Sequence, residues 1–179
     1  MEINSVILSG LVRCETYSHN AHNLDFRKIL IDVRRKSETI DTITVIYQEK
    51  IKRYKGNDKI KVAGTLRSRR EGKKLEIYVY ADNIELWDGD DVNELIIEGH
   101  VCSEPYYKEN RKRKITQMLI CCENIRKTYT SVLAWKRTNL SIGDKVVVYG
   151  RMQSRIYSDR NTDRMINEIS AYKIVNSDK

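Results

Sequence analysis

The sequence predicts an all-β chain built as two five-stranded barrels in tandem. Three observations predict it. The chain repeats itself once, its apolar residues alternate with a period of two, and glycines recur inside the alternating runs. The repeat comes first. NSVILSGLVRCE (Asn4 to Glu15) lies over NELIIEGHVCSE (Asn93 to Glu104) at an offset of 89, so that Asn4, Gly10, Val12 and Glu15 meet Asn93, Gly99, Val101 and Glu104. FRKILIDV (Phe26 to Val33) lies over ITQMLICC (Ile115 to Cys122) at the same offset. DKIKVAGTLRSR (Asp58 to Arg69) lies over DKVVVYGRMQSR (Asp144 to Arg155) at an offset of 86. Order is kept and spacing changes little, which a duplicated domain explains.

In the first half Val6, Leu8, Gly10 and Val12 alternate with Ser5, Ile7, Ser9 and Leu11. Ile60, Val62, Gly64 and Leu66 alternate with Lys61, Ala63, Thr65 and Arg67, and Leu75, Ile77, Val79 and Ala81 with Glu76, Tyr78 and Tyr80. A period of two with one apolar face marks a half-buried strand. One helix is expected over Tyr47 to Gly56, ended by glycine; its counterpart WKRTNLSIG reads as a turn. Gly10, Gly64, Gly99 and Gly150 suit bends or bulges where a strand coils. Few strands, with edges to hide, favour closure. Five coiled strands with a helix after the third describe an OB-fold, so the expected fold is two OB-fold barrels, residues 1–87 and 93–179, joined by a short acidic linker at 88–92.

Composition narrows the function. The 179 residues are 40% hydrophobic and 32% charged, which suits a globular chain. No apolar run approaches the ~20 residues of a membrane span, and the N-terminus lacks a signal-peptide pattern. A cytoplasmic protein without membrane contact is expected. Four cysteines and three histidines lack metal-ligand spacing, so no metal or cofactor is expected; His19 and His22 read as residues of a polar loop. Net charge is +8, with +3 over residues 1–90 and +5 over the rest. A basic excess spread over both halves suggests a polyanionic partner, usually nucleic acid. No Ser/His/Asp set, P-loop or dinucleotide turn is present, so a binder rather than an enzyme is expected.

VVVYGRMQSRIY resembles the fourth-strand signature of bacterial single-stranded DNA-binding proteins, with Gly150, Met152, Gln153, Ser154, Arg155 and Tyr157 in the family's places. YTSVLAWKR resembles the family's third strand, with Tyr129 and Trp135 in its two aromatic places, and NELIIEGHV its first. The first half is similar through Gly64, Leu66, Arg67, Ser68 and Arg69, but has Thr42 and Gln48 where the second has rings. The paired layout is similar to tandem forms of the family. The resemblance implies a protein that coats single-stranded DNA in replication, repair or recombination. Family members typically end in an acidic, hydrophobic tip that recruits partners. This chain ends AYKIVNSDK, so no acidic C-terminal tail for recruitment is expected.

A single strand offers phosphates to cations and bases to flat rings. Tyr129, Trp135, Tyr149 and Tyr157 are the candidate rings of the second half. Alternation puts Tyr149, Arg151, Gln153 and Arg155 on one strand face, opposite Val146, Val148, Gly150 and Met152. Leu133 shares parity with Trp135, which leaves open the side on which that strand's core lies. Arg111, Lys112, Arg113 and Lys114 fall in the loop between strands one and two, where OB-folds often bind ligands. A second loop adds Arg160 and Arg164. The first half offers Lys61, Arg67, Arg69, Tyr78 and Tyr80. Alternatives of other classes are an adaptor for protein partners, with the first half as a homodimerisation module, and an RNA binder, since 2′-hydroxyl contacts leave no mark in the sequence.

Overall fold

The computed structural model describes all residues except 1, 50–52, 73, 124–125, 160–161 and 178–179. The described residues are all-β, in the strands β1 (Asn4–Ala21), β2 (Leu24–Arg34), β3 (Ile40–Gln48), β4 (Lys59–Glu71), β5 (Lys74–Leu86), β6 (Asn93–Val101), β7 (Tyr106–Asn110), β8 (Arg113–Glu123), β9 (Lys127–Ala134), β10 (Lys145–Asp159) and β11 (Thr162–Asn176). None is long, apolar and helical enough to cross a membrane.

Two barrels close by the same rule. In the first, β1 pairs with β2 and β4, β2 with β3, and β4 with β5, all antiparallel, and β3 joins β5 in parallel. In the second, β6, β8, β9, β11 and β10 repeat this order. The alternation seen in the sequence sets the interior. Val6, Leu8, Ile29, Ile31, Ile43, Val45, Ile60, Val62 and Val79 fill the first barrel, and Leu95, Ile97, Met118, Ile120, Val132, Val146, Val148, Met152 and Ile169 fill the second. Val132 and Ala134 are buried, which settles the side of β9: Leu133 and Trp135 point outward.

The glycines fall where the strands coil. Bulges interrupt the ladders at Ala63/Gly64 and Tyr149/Gly150. A Cβ on Gly64 would lie 2.1 Å from the Tyr80 carbonyl oxygen, and one on Gly150 2.6 Å from that of Ser170. The backbones approach too closely there for any side chain.

The two first strands also pair with each other, antiparallel and centred on Val6 opposite Leu95. Because 6 and 95 are equivalent positions, the joint has an internal two-fold relation, as in an isologous dimer fused into one chain. All strands thus form one sheet in the order β2-β3-β5-β4-β1-β6-β10-β11-β9-β8-β7. Residues facing each other across a ladder point the same way, so both barrels lie on one side of β1 and β6. Ile7, Leu11 and Ile96 are exposed on the other side.

Three expectations are corrected. Tyr47 and Gln48, assigned to a helix, belong to β3; residues 53–55 have no regular structure, and residues 50–52 of that segment lie outside the described residues. Tyr47 and Tyr54 are spaced as on a helix face but are both buried, with Tyr47 on the inner face of β3 and its hydroxyl donating to Glu15 Oε2 at 2.9 Å. The segment at 106–114 is a hairpin, β7 and β8, rather than a loop. Pro105 separates β6 from β7, where the first barrel has the single long β1. Proline cannot donate to a ladder, and the Ser103 hydroxyl accepts from Leu119 N–H at 2.9 Å beside it. Finally, His19 lies in β1, while His22 and Asn23, both at positive φ, make the turn into β2.

Candidate nucleic-acid interface

The outer face of the second barrel gathers rings and cations around the end of β9. Trp135, 45% exposed, donates from Nε1 to Ser170 Oγ at 2.8 Å, which holds the indole against β11. Arg113 of the β7–β8 hairpin reaches over the indole, 5.9 Å from its centre, and Arg137 stands 5.3 Å from the Tyr107 ring. Asn110 Oδ1 accepts from the N–H groups of Lys112 and Arg113, so the turn that bears Arg111 and Lys112 is internally fixed. The Tyr107 hydroxyl donates to Glu109 Oε2 at 2.6 Å and Lys114 pairs with Glu109 at 3.2 Å, and these two contacts, Tyr107 first, hold the Glu109 carboxyl below its usual range. A groove of about 330 Å³ beside the indole is lined by Trp135, Lys136, Arg151, Tyr172 and Lys173. Tyr149 joins this surface through Lys173, whose Nζ lies 5.3 Å from its ring. Tyr129 is half-buried on the same face of β9, 5.8 Å from Lys127 Nζ. Tyr157 is exposed at the far end of β10, paired with Arg164 across the hairpin. Arg160 lies outside the described residues.

The first barrel presents a different set. Arg67 lies flat over the Tyr80 ring at 3.5 Å, Tyr80 is 6.3 Å from Phe26, and Phe26 stacks on His19 at 4.8 Å. Four flat groups from β4, β5, β2 and β1 form one ladder. Tyr78, opposite Arg67, is partly buried, and burial raises its phenol above its ordinary value. Arg69 is held by Glu76, which also faces Lys28 at 3.9 Å. Sequence reading missed Phe26 and His19. The signal available was parity, because Phe26 alternates with the buried Ile29, Ile31 and Val33 side of β2 and so points out.

Several expected contacts are used elsewhere. Gln153 is buried and donates to Glu168 Oε1 at 2.9 Å, and Arg155 holds the same carboxylate at 3.0 Å. Arg151 reaches Asp41 of the first barrel at 3.2 Å, and Arg35 grips that buried carboxylate with two hydrogen bonds. Burial, then repulsion from Arg35, lowers the Arg151 pKa, while Asp41 raises it. Lys61 sits 4.2 Å over the Trp87 ring, next to the linker, and pairs with Glu85 where Arg67 pairs with Tyr78. Gln153 is therefore taken out of the surface and Lys61 lies apart from the rings. Alternation puts Lys61 on the face of Arg67, but six residues along β4, about 20 Å away.

The sequence matches no protein-family model, and no curated protein matches it. Solved structures do match in fold. The wild-type single-stranded DNA binding protein from Thermus aquaticus is 18% identical, with a TM-score of 0.79, over 98% of this chain and 93% of that one. A deletion mutant of the same protein gives the same identity and TM-score over 98% of this chain and 94% of that one. The likeness extends over both barrels, so the chain has the tandem OB fold of those proteins.

Proposed function

We propose that this protein binds single-stranded DNA without sequence choice, by stacking bases on Trp135 and neighbouring rings and by pairing phosphates with lysines and arginines. The observation that carries the reading is the open groove beside Trp135, lined by Lys136 and Lys173, with Arg113 over the indole. Rings flanked by cations suit a strand that presents bases and phosphates in alternation, and stacking is tolerant of sequence because every base has a flat face. The tandem fold shared with a Thermus aquaticus single-stranded DNA binding protein supports the reading. On it, the protein is a binder rather than an enzyme and coats strands exposed in replication, repair or recombination in the cytoplasm.

A competition titration tests this. Labelled oligo(dT) is displaced with unlabelled dT, rU and duplex oligonucleotides at two salt concentrations. Binding that prefers dT to duplex and weakens with salt is expected, with a log–log slope of about 0.7 per phosphate contacted. Equal competition by duplex would remove the reading, and preference for rU would turn it to RNA.

A second reading, assembly into a homodimer or with a protein partner, is favoured by the exposed Ile7, Leu11 and Ile96 on the face that β1 and β6 turn away from the barrels. Light scattering of the eluted protein tests it, since a strict monomer contradicts the dimer.

A further inference from the structure

A groove of about 470 Å³ lies between the two barrels beside their linker. Arg34, Arg35 and Lys36 of the β2–β3 turn line it, with Arg151 of β10 and the linker segment 91–94. Asp41, behind it, is fully used. Its Oδ1 accepts from Arg35 Nη2 and Ser154 N–H, and its Oδ2 from Arg35 Nε and Arg151 Nη1. Arg35 Nη1 and Arg151 Nε and Nη2 are left without an acceptor among the described residues. Two guanidinium groups that repel one another thus share one carboxylate and line one groove. Lys36 adds an exposed ammonium with no ion pair among the described residues, and Arg34 is paired with Glu38 at 3.0 Å. The internal two-fold shows what the joint itself requires. In its mate Thr128 stands for Asp41 and Thr65 for Arg151, while Ser68 accepts from Tyr129 N–H at 2.9 Å as Ser154 does from Thr42 N–H. That side closes with uncharged groups, so docking does not require the cations. Two acids line the linker wall. Asp91 is taken by Lys59 at 3.0 Å and by Arg34 N–H at 2.8 Å, whereas Glu94 is exposed with no ion-pair partner among the described residues.

We infer that this groove binds a small free nucleotide, with its terminal phosphoryl group on the spare donors of Arg35 and Arg151 and its sugar hydroxyls toward Glu94. Guanidinium groups take phosphate oxygens in parallel pairs of hydrogen bonds, and such charge-assisted bonds are the strong ones. Two guanidinium groups with donors to spare, and an ammonium beside them, suit a doubly charged terminal phosphoryl better than the single charge of a backbone phosphodiester. Glu94 on the linker wall repels a polyanion that would run on past it. It suits a ligand that ends there in hydroxyls, which donate to a carboxylate. The volume is that of a small-molecule site, roughly 300–1,000 Å³. The inference stands apart from the proposed single-strand binding, although Arg151 borders both this groove and the one beside Trp135.

The test is isothermal titration of the full chain with ADP at constant ionic strength, with adenosine as the ligand that lacks phosphoryl groups. The parent shows one saturable site for ADP and none for adenosine. Arg35→Gln and Lys36→Glu each weaken ADP by about 10-fold or more, the effect of losing a hydrogen bond to a charged group. Lys36 is exposed on a turn, so its substitution reads the site even where Arg35→Gln disturbs folding. Lys55→Glu, an equal charge change at an exposed cation outside the groove, keeps the parent's affinity for ADP, and so does Trp135→Ala, which disables the ring surface. The site is overturned if ADP gives no saturable heat, if Lys36→Glu binds as the parent does, or if Lys55→Glu or Trp135→Ala loses as much. Saturation by 5′-phosphorylated oligo(dT) but not by ADP also overturns it, and gives the groove to a strand end. Unphosphorylated oligo(dT) is titrated alongside; its failure to bind removes the single-strand reading and leaves the ADP result standing.

Discussion

The two barrels share a skeleton and differ on the surface. Their repeated residues hold the chain together. Asn4 bonds both backbone groups of Leu66, and Asn93 does the same to Met152. Ser68 accepts from Tyr129 N–H of the second barrel, and Ser154 accepts from Thr42 N–H of the first, both at 2.9 Å. Gly64 and Gly150 mark the same bulge. The rings, by contrast, sit on different strands: Trp135 follows β9, where the first barrel has Gln48, and Tyr80 stands on β5, where β11 has Ser170. What was repeated is the joint and the core, and what diverged is the face open to a ligand. The serine of the echoed RSR/QSR phrase therefore encodes how the barrels dock.

The joint itself is asymmetric, and breaking it gives the largest effect. Asp41 is fully buried and holds Arg35 of its own barrel and Arg151 of the other, while its counterpart Thr128 is uncharged and reaches the Leu66 carbonyl at 3.5 Å. Asp41→Ala leaves two guanidinium groups facing each other, and is expected to cost about 3 kcal/mol, the low end for a broken buried pair because both arginines are partly exposed. Urea unfolding checks it; a loss under 1 kcal/mol contradicts the tie.

The bulges come next. Gly64→Ala meets a carbonyl oxygen 2.1 Å away and Gly150→Ala one 2.6 Å away. Both are expected to destabilise by about 1–3 kcal/mol, Gly64→Ala the more, on the scale of overpacked cores. Thermal unfolding of the pair of variants gives the order.

For binding, the comparison sharpens into two rings. Trp135 has an open groove beside it, whereas one face of Tyr80 is already covered by Arg67. Trp135→Ala should weaken oligo(dT) binding by about 2 kcal/mol and Tyr80→Ala by about 1, within the range for a stacked base. Anisotropy titrations measure both, and equal losses would erase the distinction. Of similar size, Ser154→Ala should cost about 1 kcal/mol of stability for one lost hydrogen bond, with Ser68→Ala similar.

A pH effect is expected in the first barrel. Burial, then the hydrogen bond to Glu15, raises the Tyr47 phenol above its ordinary value of 10.0. The folded state thus favours the neutral phenol, and the stability it contributes is complete below pH 10 and lost as pH rises beyond it. Tyr47→Phe should flatten that alkaline loss, read by unfolding at pH 9 and above.

Much of the fold was legible in the sequence, since duplication and a period of two are local patterns that state themselves. The offsets of 89 and 86 match the equivalence of β1 with β6 and of β4 with β10, and two of the four glycines, Gly64 and Gly150, fell at bulges. The site was legible only in part. Parity told which side chains of β10 leave the core, but it could not tell which of those meet protein again. Gln153 is taken by Glu168 from the neighbouring strand, and Arg151 by Asp41, 110 positions away. The ladder His19, Phe26, Tyr80 and Arg67 draws one member from each of four strands, so no window of sequence contains it. The helix expected over Tyr47 to Gly56 failed at its start and near its end, because Tyr47 and Gln48 continue β3 and Tyr54 is buried in a segment without regular structure.

The central claim is that the ring surfaces of both barrels meet the bases of a single strand. Ultraviolet cross-linking of the intact chain to bromouracil-substituted oligo(dT), followed by peptide mapping, tests it most directly. The account predicts cross-links at Trp135 and the β7–β8 hairpin, and at Tyr80 or Phe26 in the first barrel. Cross-links confined to the face of Ile7 and Ile96, or no more abundant than with duplex, would contradict it.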